Sequence, residues 1–155
     1  MSNSVKASVG EIMNERIETI GILNTAQDAA MKMADKNVSS LVVLDDDDGK
    51  AIGILTERDL VRRRVCTKNI PSSSVTIQNT ISSPIKTIAP DTPIDDVADI
   101  MIRNKIRHIV VADENREPIG IVSATDIVAF VRENSTAMAQ VTREVLEALE
   151  KEGKM

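Results

Sequence analysis

The stretch Gly53-Ile54-Leu55-Thr56-Glu57-Arg58-Asp59-Leu60 returns as Gly120-Ile121-Val122-Ser123-Ala124-Thr125-Asp126-Ile127, displaced by 67 positions. Each copy reads as a short buried strand that ends on a hydroxyl residue and enters a helix with an aspartate in its first turn. Thr56 and Ser123 stand at the N-cap, with Asp59 and Asp126 three residues later. Such a strand end brings a hydroxyl, backbone N–H groups and a carboxylate to one point. The hydroxyl and N–H groups suit a phosphate, and the carboxylate oxygens suit the vicinal hydroxyls of a ribose. The same Ser/Thr-x-x-Asp spacing is also a variant capping box, in which hydroxyl and carboxylate serve only the helix's own N–H groups. One copy leaves both readings open.

The surroundings repeat as well. Val9 matches Ile77, Met13 matches Ile81, and Ile17-Glu18-Thr19-Ile20 matches Ile85-Lys86-Thr87-Ile88, each 68 positions on. Helical spacing follows in both halves. Ala26, Ala29, Ala30, Met33 and Ala34 make one face, and Ile94, Val97, Ala98, Met101 and Ile102 make its counterpart. Asn24 with Gln27, and Thr92 with Asp95 behind Pro93, read as the two helix starts. The apolar runs Leu41–Leu44 and Ile109–Ala112 have strand length and are largely β-branched. After them the offset drops to 67, which places a one-residue difference in the loops Asp45–Lys50 and Asp113–Glu117. The four aspartates Asp45–Asp48 read as a solvated hairpin loop, because hard-cation loops space their ligands around a turn glycine.

Each half is thus strand, helix, strand, strand, helix: a parallel crossover, then a hairpin, giving a small mixed sheet. Repeats are expected at 9–65 and 77–132, joined by a linker at 66–76 in which Pro71 and three serines follow Cys66. A half alone would bury little, so the halves are expected to pack together. A tail at 136–152 carries the stripe Met138, Val141, Val145 and Leu149, an amphipathic helix that must cover that face on its own domain or on a second chain.

Composition narrows the function classes. The chain has 155 residues, 42% hydrophobic and 28% charged, with one Phe and no Trp or Tyr, so its core must be aliphatic. That argues against single-strand nucleic-acid binding by aromatic stacking, and a net charge of −5 gives no global attraction to polyanions or anionic membranes. One cysteine allows no intrachain disulfide, and neither an apolar leader nor an 18-residue apolar window occurs, so a cytoplasmic protein is expected. No nucleophile–base pair, metal cluster or Walker-type loop is present, so the chain is not expected to be an enzyme. Arg62-Arg63-Arg64 with Lys68 is the one local basic run, and it reads as a solvated helix face more readily than as a polyanion site.

With Ile85-Lys86-Thr87-Ile88-Ala89-Pro90, Ile106 to Asp113 and Gly120 to Asp126 falling in order, the two copies resemble a tandem pair of cystathionine-β-synthase (CBS) domains, the Bateman module. The resemblance implies α/β architecture, two pseudo-twofold βαββα repeats, and two clefts that take adenosyl ligands such as AMP, ADP, ATP or S-adenosylmethionine. By position it implies one cleft of Ser123, Thr125, Asp126, His108 and Ile121 with Thr19, Val38 and Ser39. There Asp126 would hold the ribose, Ser123 and Thr125 would face phosphate, and Val38 and Ile121 would sandwich adenine. The second would take Thr56, Arg58 and Asp59 with Thr87, Ile106 and Arg107. Arg58 departs from the small hydroxyl usual before the aspartate, and Ser39-Ser40 stands where the other half has Arg107-His108. The resemblance also implies a homodimer and a regulated protein partner. The competing readings are a structural or oligomerisation scaffold with empty clefts, and polyanion binding through Arg62–Arg64.

Overall fold

Short apolar runs give six strands, and they assemble into two three-stranded sheets rather than one. The computed structural model describes residues 7–62, 70–81, 85–134 and 136–153. In the first sheet β1 (Thr19–Gly21) is parallel to β2 (Ser40–Leu44), which is antiparallel to β3 (Ala51–Thr56). In the second, β4 (Thr87–Ile88), β5 (His108–Ala112) and β6 (Pro118–Ser123) repeat that order. The repetition extends to register. Leu41 pairs with Leu55 as Ile109 pairs with Val122, and the ladder is irregular at Val43/Leu44 and again at Val111/Ala112.

The crossovers are α1 (Ala26–Lys36) and α3 (Ile94–Asn104), while α2 (Glu57–Arg62) and α4 (Ala124–Asn134) follow the hairpins. Both crossovers start one residue later than the sequence suggests. Thr25, not Asn24, caps α1, with Asp28 N–H donating to Thr25 Oγ1 at 3.1 Å and Thr25 N–H to Asp28 Oδ2 at 3.0 Å. Those bonds, the backbone one foremost, hold the Asp28 carboxyl below its ordinary pKa. Pro93 caps α3 without a side-chain bond, and the Thr92 hydroxyl turns back to the Ala89 carbonyl at 2.7 Å. Both helices end on a left-handed residue, Asn37 and Lys105, each at φ 53°. The buried faces are narrower than the spacing predicts. Ala26, Ala29, Met33 and Ile94, Val97, Met101 are buried, whereas Ala30, Ala34 and Ile102 face outward, Ile102 being 74% exposed. Three residues per three turns suffice where a thin sheet covers only one side of the helix.

The halves are joined by an exchange of leading segments. Val9, in a short 3-10 turn, is fully buried in the core of the second half, and Ile77, in the matching turn, is fully buried in the core of the first. Twofold-related backbone bonds hold them. Val9 N–H donates to Thr92 O at 2.8 Å as Ile77 N–H donates to Asn24 O at 3.0 Å, and Ile94 N–H donates to Ala7 O at 3.0 Å as Ala26 N–H donates to Val75 O at 2.7 Å. Further along, Asn14 and Ile121 exchange both backbone hydrogen bonds, at 2.8 and 3.0 Å. The exchanged chain lies so close to the hairpins that strands β3 and β6 carry glycine beneath it. A Cβ on Gly53 would stand 3.0 Å from Ile81, and one on Gly120 would overlap Met13 Cγ at 2.8 Å.

The acidic loop is a folded turn. Asp47 N–H donates to Asp45 Oδ1 at 2.8 Å, Lys50 N–H to Asp48 Oδ1 at 2.9 Å, and Leu23 N–H to Asp46 Oδ2 at 3.0 Å. Helix α5 (Thr136–Lys151) packs against α4. Its Leu149 is half-buried, while Val145 and Leu146 remain 53% and 42% exposed, so the predicted stripe is only partly covered within the chain. The side chains of Met138 and Val141 lie outside the described residues, as do Arg63, Arg64, Cys66 and Lys68.

The exchange can be tested at its tightest point. Gly120→Val should destabilise the protein by about 1–3 kcal/mol in urea unfolding, and Met13→Ala in the same chain should return part of that loss through their coupling. Strictly additive losses would separate the two residues.

Candidate ligand clefts between the repeats

The hairpin ends place the repeated motif at the seam. β5 sets His108 directly opposite Ser123, and Ser123 leads into α4 with Asp126 in its first turn. Ser123 N–H donates to Asp126 Oδ2 at 2.8 Å and Asp126 N–H donates to Ser123 Oγ at 3.1 Å. The first half forms the same box: Thr56 N–H to Asp59 Oδ2 at 3.0 Å, Asp59 N–H to Thr56 Oγ1 at 3.2 Å, and the Thr56 hydroxyl to Asp59 Oδ2 at 2.9 Å. Both motifs therefore cap their helices. Each described box bond to an aspartate uses Oδ2, and a carboxylate with two oxygens can cap and still accept from a ligand hydroxyl.

Cleft one, of about 240 Å³, is walled by Ser123, Asp126, His108 and Ile121 from the second half and by Val38, Ser39, Asn14, Arg16, Ile17 and Glu18 from the first. Thr19 and Thr125 are not among its lining residues. Thr19 lies instead in a separate groove beside α1, where Lys32 Nζ donates to the Thr19 carbonyl. Thr125 is exposed on the first turn of α4. Cleft two, of about 560 Å³, gathers Thr56, Arg58 and Asp59 with Ile106 and Arg107. Thr87, which repeats the position of Thr19, is not among its lining residues. Ser39 and His108 line both clefts.

Several lining residues escape motif reading. Ile54 was available by shifting Ile121 back 67 positions, and Asn37 and Lys105 by their shared place after the crossover helices. Asn14, Arg16, Ile17 and Glu18 carried no such signal, because only the crossing at Ile121 delivers them to the wall. Arg16 Nε stands 3.9 Å from Glu18 Oε1, so that cation is partly neutralised by its neighbour.

Burial pushes the His108 imidazole below its ordinary pKa, against the attraction of Asp126 and Asp59 and with help from Arg107. A residue whose folded pKa lies below the unfolded 6.5 is bound less tightly by protons when folded. The fold consequently loses stability as pH falls from that value through the folded one. Proton NMR should place the His108 titration below 6.5, and Asp126→Asn should lower it further by removing an attractive carboxylate. A midpoint at or above 6.5 in the free protein would contradict a desolvated imidazole.

The family model described as CBS domain matches residues 9–65 and 76–133. The chain is 33% identical over 120 residues to protein MK0525 of Methanopyrus kandleri, which covers 77% of this chain and 60% of that protein's length. A signal-transduction protein with CBS domains from Burkholderia ambifaria, so described, has a TM-score of 0.75 at 26% identity, over 84% of this chain and 97% of that one. The CBS domain pair of protein MJ0100, solved in complex with 5′-methylthioadenosine and S-adenosyl-L-methionine, gives 0.73 at 26% identity, over 83% and 98%. Two matched repeats in one chain, paired through exchanged segments, make this a tandem CBS protein; the chain belongs to the CBS domain family. Among the described residues no helix is long and apolar enough to cross a membrane.

Proposed function

We propose that this chain is a non-catalytic sensor, acting in the cytoplasm, that binds an adenosyl ligand between its repeats and passes the resulting change to a partner protein. The observation that carries the reading is that cleft one draws its walls from both halves. Ser123, Asp126 and His108 face Val38 and Ser39 across it. A ligand there contacts two bodies at once and favours whichever relation of the halves it fits best. Asp126 accepts from the ribose hydroxyls, and Val38 and Ile121 supply apolar surface for the base. The related MJ0100 pair, solved with adenosyl compounds, supports this ligand class.

The regulated partner is a separate protein, and the module pairs with a second copy of itself. Val61 and Val128, 67 positions apart on α2 and α4, stand 62% and 47% exposed and form a twofold-related apolar pair suited to self-association. Light scattering should report a dimer at micromolar concentration, and truncation after Asn134 should leave it intact if α2 and α4 carry the contact. A monomeric full chain would remove the homodimer.

One observation favours a second reading, a scaffold with empty clefts: both Thr/Ser-Asp boxes are complete without a ligand. Calorimetry and thermal shift with AMP, ADP, ATP and S-adenosylmethionine separate the two. A bound ligand at 100 times its dissociation constant should add about 2.7 kcal/mol of stability. Asp126→Ala should weaken binding in cleft one by about 1.5–3 kcal/mol. A silent panel, with Asp126→Ala costing stability alone, would leave the scaffold.

A further inference from the structure

The two clefts occupy twofold-related places but differ in charge. Cleft two is lined by Arg58, Arg62, Lys105 and Arg107 against Glu57 and Asp59. None of the four cations forms an ion pair among the described residues. Applying the repeat offsets of 67 and 68, their counterparts are Thr125, Ala129, Asn37 and Ser39, all uncharged. Asn37 and Ser39 line cleft one, while Thr125 and Ala129 are not among its lining residues. Backbone conformation does not account for the difference, since Asn37 and Lys105 share the same left-handed geometry. Cleft one holds Asp126 and the partly neutralising pair Arg16 and Glu18, with the His108 pKa lowered by burial.

Volume runs the same way. Cleft one, at about 240 Å³, falls below the usual range of small-ligand sites, whereas cleft two, at about 560 Å³, falls within it. Guanidinium groups suit phosphate oxygens through paired N–H donors, and four cations lining one cavity from both halves suit several phosphate charges rather than one.

We infer that the clefts sort ligands by charge: cleft two takes a polyphosphate-bearing nucleotide, and cleft one takes a nucleoside whose 5′ substituent is uncharged or cationic, such as a thioether or sulfonium. The inference rests on the adenosyl reading for its nucleoside part and on the charge division for the rest. Ser39 and His108 line both clefts, which therefore share part of a wall.

Calorimetry on the full chain tests it with ATP, S-adenosylmethionine and inorganic triphosphate as probes. Arg58→Gln with Arg107→Gln, two exposed positions, should weaken ATP by at least about tenfold and leave S-adenosylmethionine unchanged. Asp126→Ala should do the reverse. ATP affinity should also fall as NaCl rises from low to high concentration, as screening shortens the reach of the cations. Asn37→Lys with Ser39→Arg, which places the counterparts of Lys105 and Arg107 in cleft one, should raise ATP stoichiometry from one to two per chain. ATP binding that ignores the Arg58/Arg107 change, or that is lost only with Asp126→Ala, overturns the inference while leaving the adenosyl reading in place. Triphosphate binding that depends on Arg58 and Arg107, with both nucleosides silent, removes the adenosyl reading and keeps the charge division. Silence from all three probes removes both.

Discussion

Burial of Val9 in the second half and of Ile77 in the first is the constraint on which the rest depends. A half of fewer than 60 residues buries little surface by itself, and each half here is completed by a segment that precedes the other. Pulling the halves apart would expose both cores at once, so folding and pairing are one event. The glycines at 53 and 120 follow from the same arrangement, since the exchanged chain passes where their side chains would be.

The clefts are by-products of that exchange. The Asn14–Ile121 backbone pair turns the leading segment along the mouth of the second hairpin, and Asn14, Arg16, Ile17 and Glu18 become a wall. Opposite them the motif carries out two tasks with one side chain. Asp126 closes the helix cap through Oδ2, which fixes its rotamer before any ligand arrives. Preorganisation of this kind lowers the ordering cost of binding. His108, opposite Ser123 on the neighbouring strand, is desolvated by the packing that brings the halves together. An anion placed near it would oppose that bias by favouring the charged imidazole.

The acidic run at 45–48 shows how a charged stretch becomes structure. Its carboxylates take backbone N–H groups of their own turn, and Asp46 reaches back to Leu23 at the end of β1. The other half builds the same turn with fewer acids, Asp113 accepting from Asn115 and Glu117 at 2.8 and 2.9 Å. One inserted residue is absorbed there because neither cleft includes the loop.

Period and repetition were enough for much of this molecule. Apolar runs of strand length, helical spacing and a 67–68-residue offset determine the βαββα halves and the motif at each strand end. They do so because these features follow from backbone geometry and local burial, which neighbouring residues encode. The convergence of Ser123 and Asp126 was local in the same way, whereas Val38, Ser39, Ile106 and Arg107 came only through the resemblance to CBS pairs. What the sequence could not supply was which half each leading segment completes, and hence the placement of Asn14 to Glu18. Nor could it show that Thr19, Thr87 and Thr125 miss the clefts, or that Ile102 faces outward. Those outcomes depend on where one half's surface lies against the other's. That relation is set by contacts between residues far apart in the chain, and no periodicity reports it.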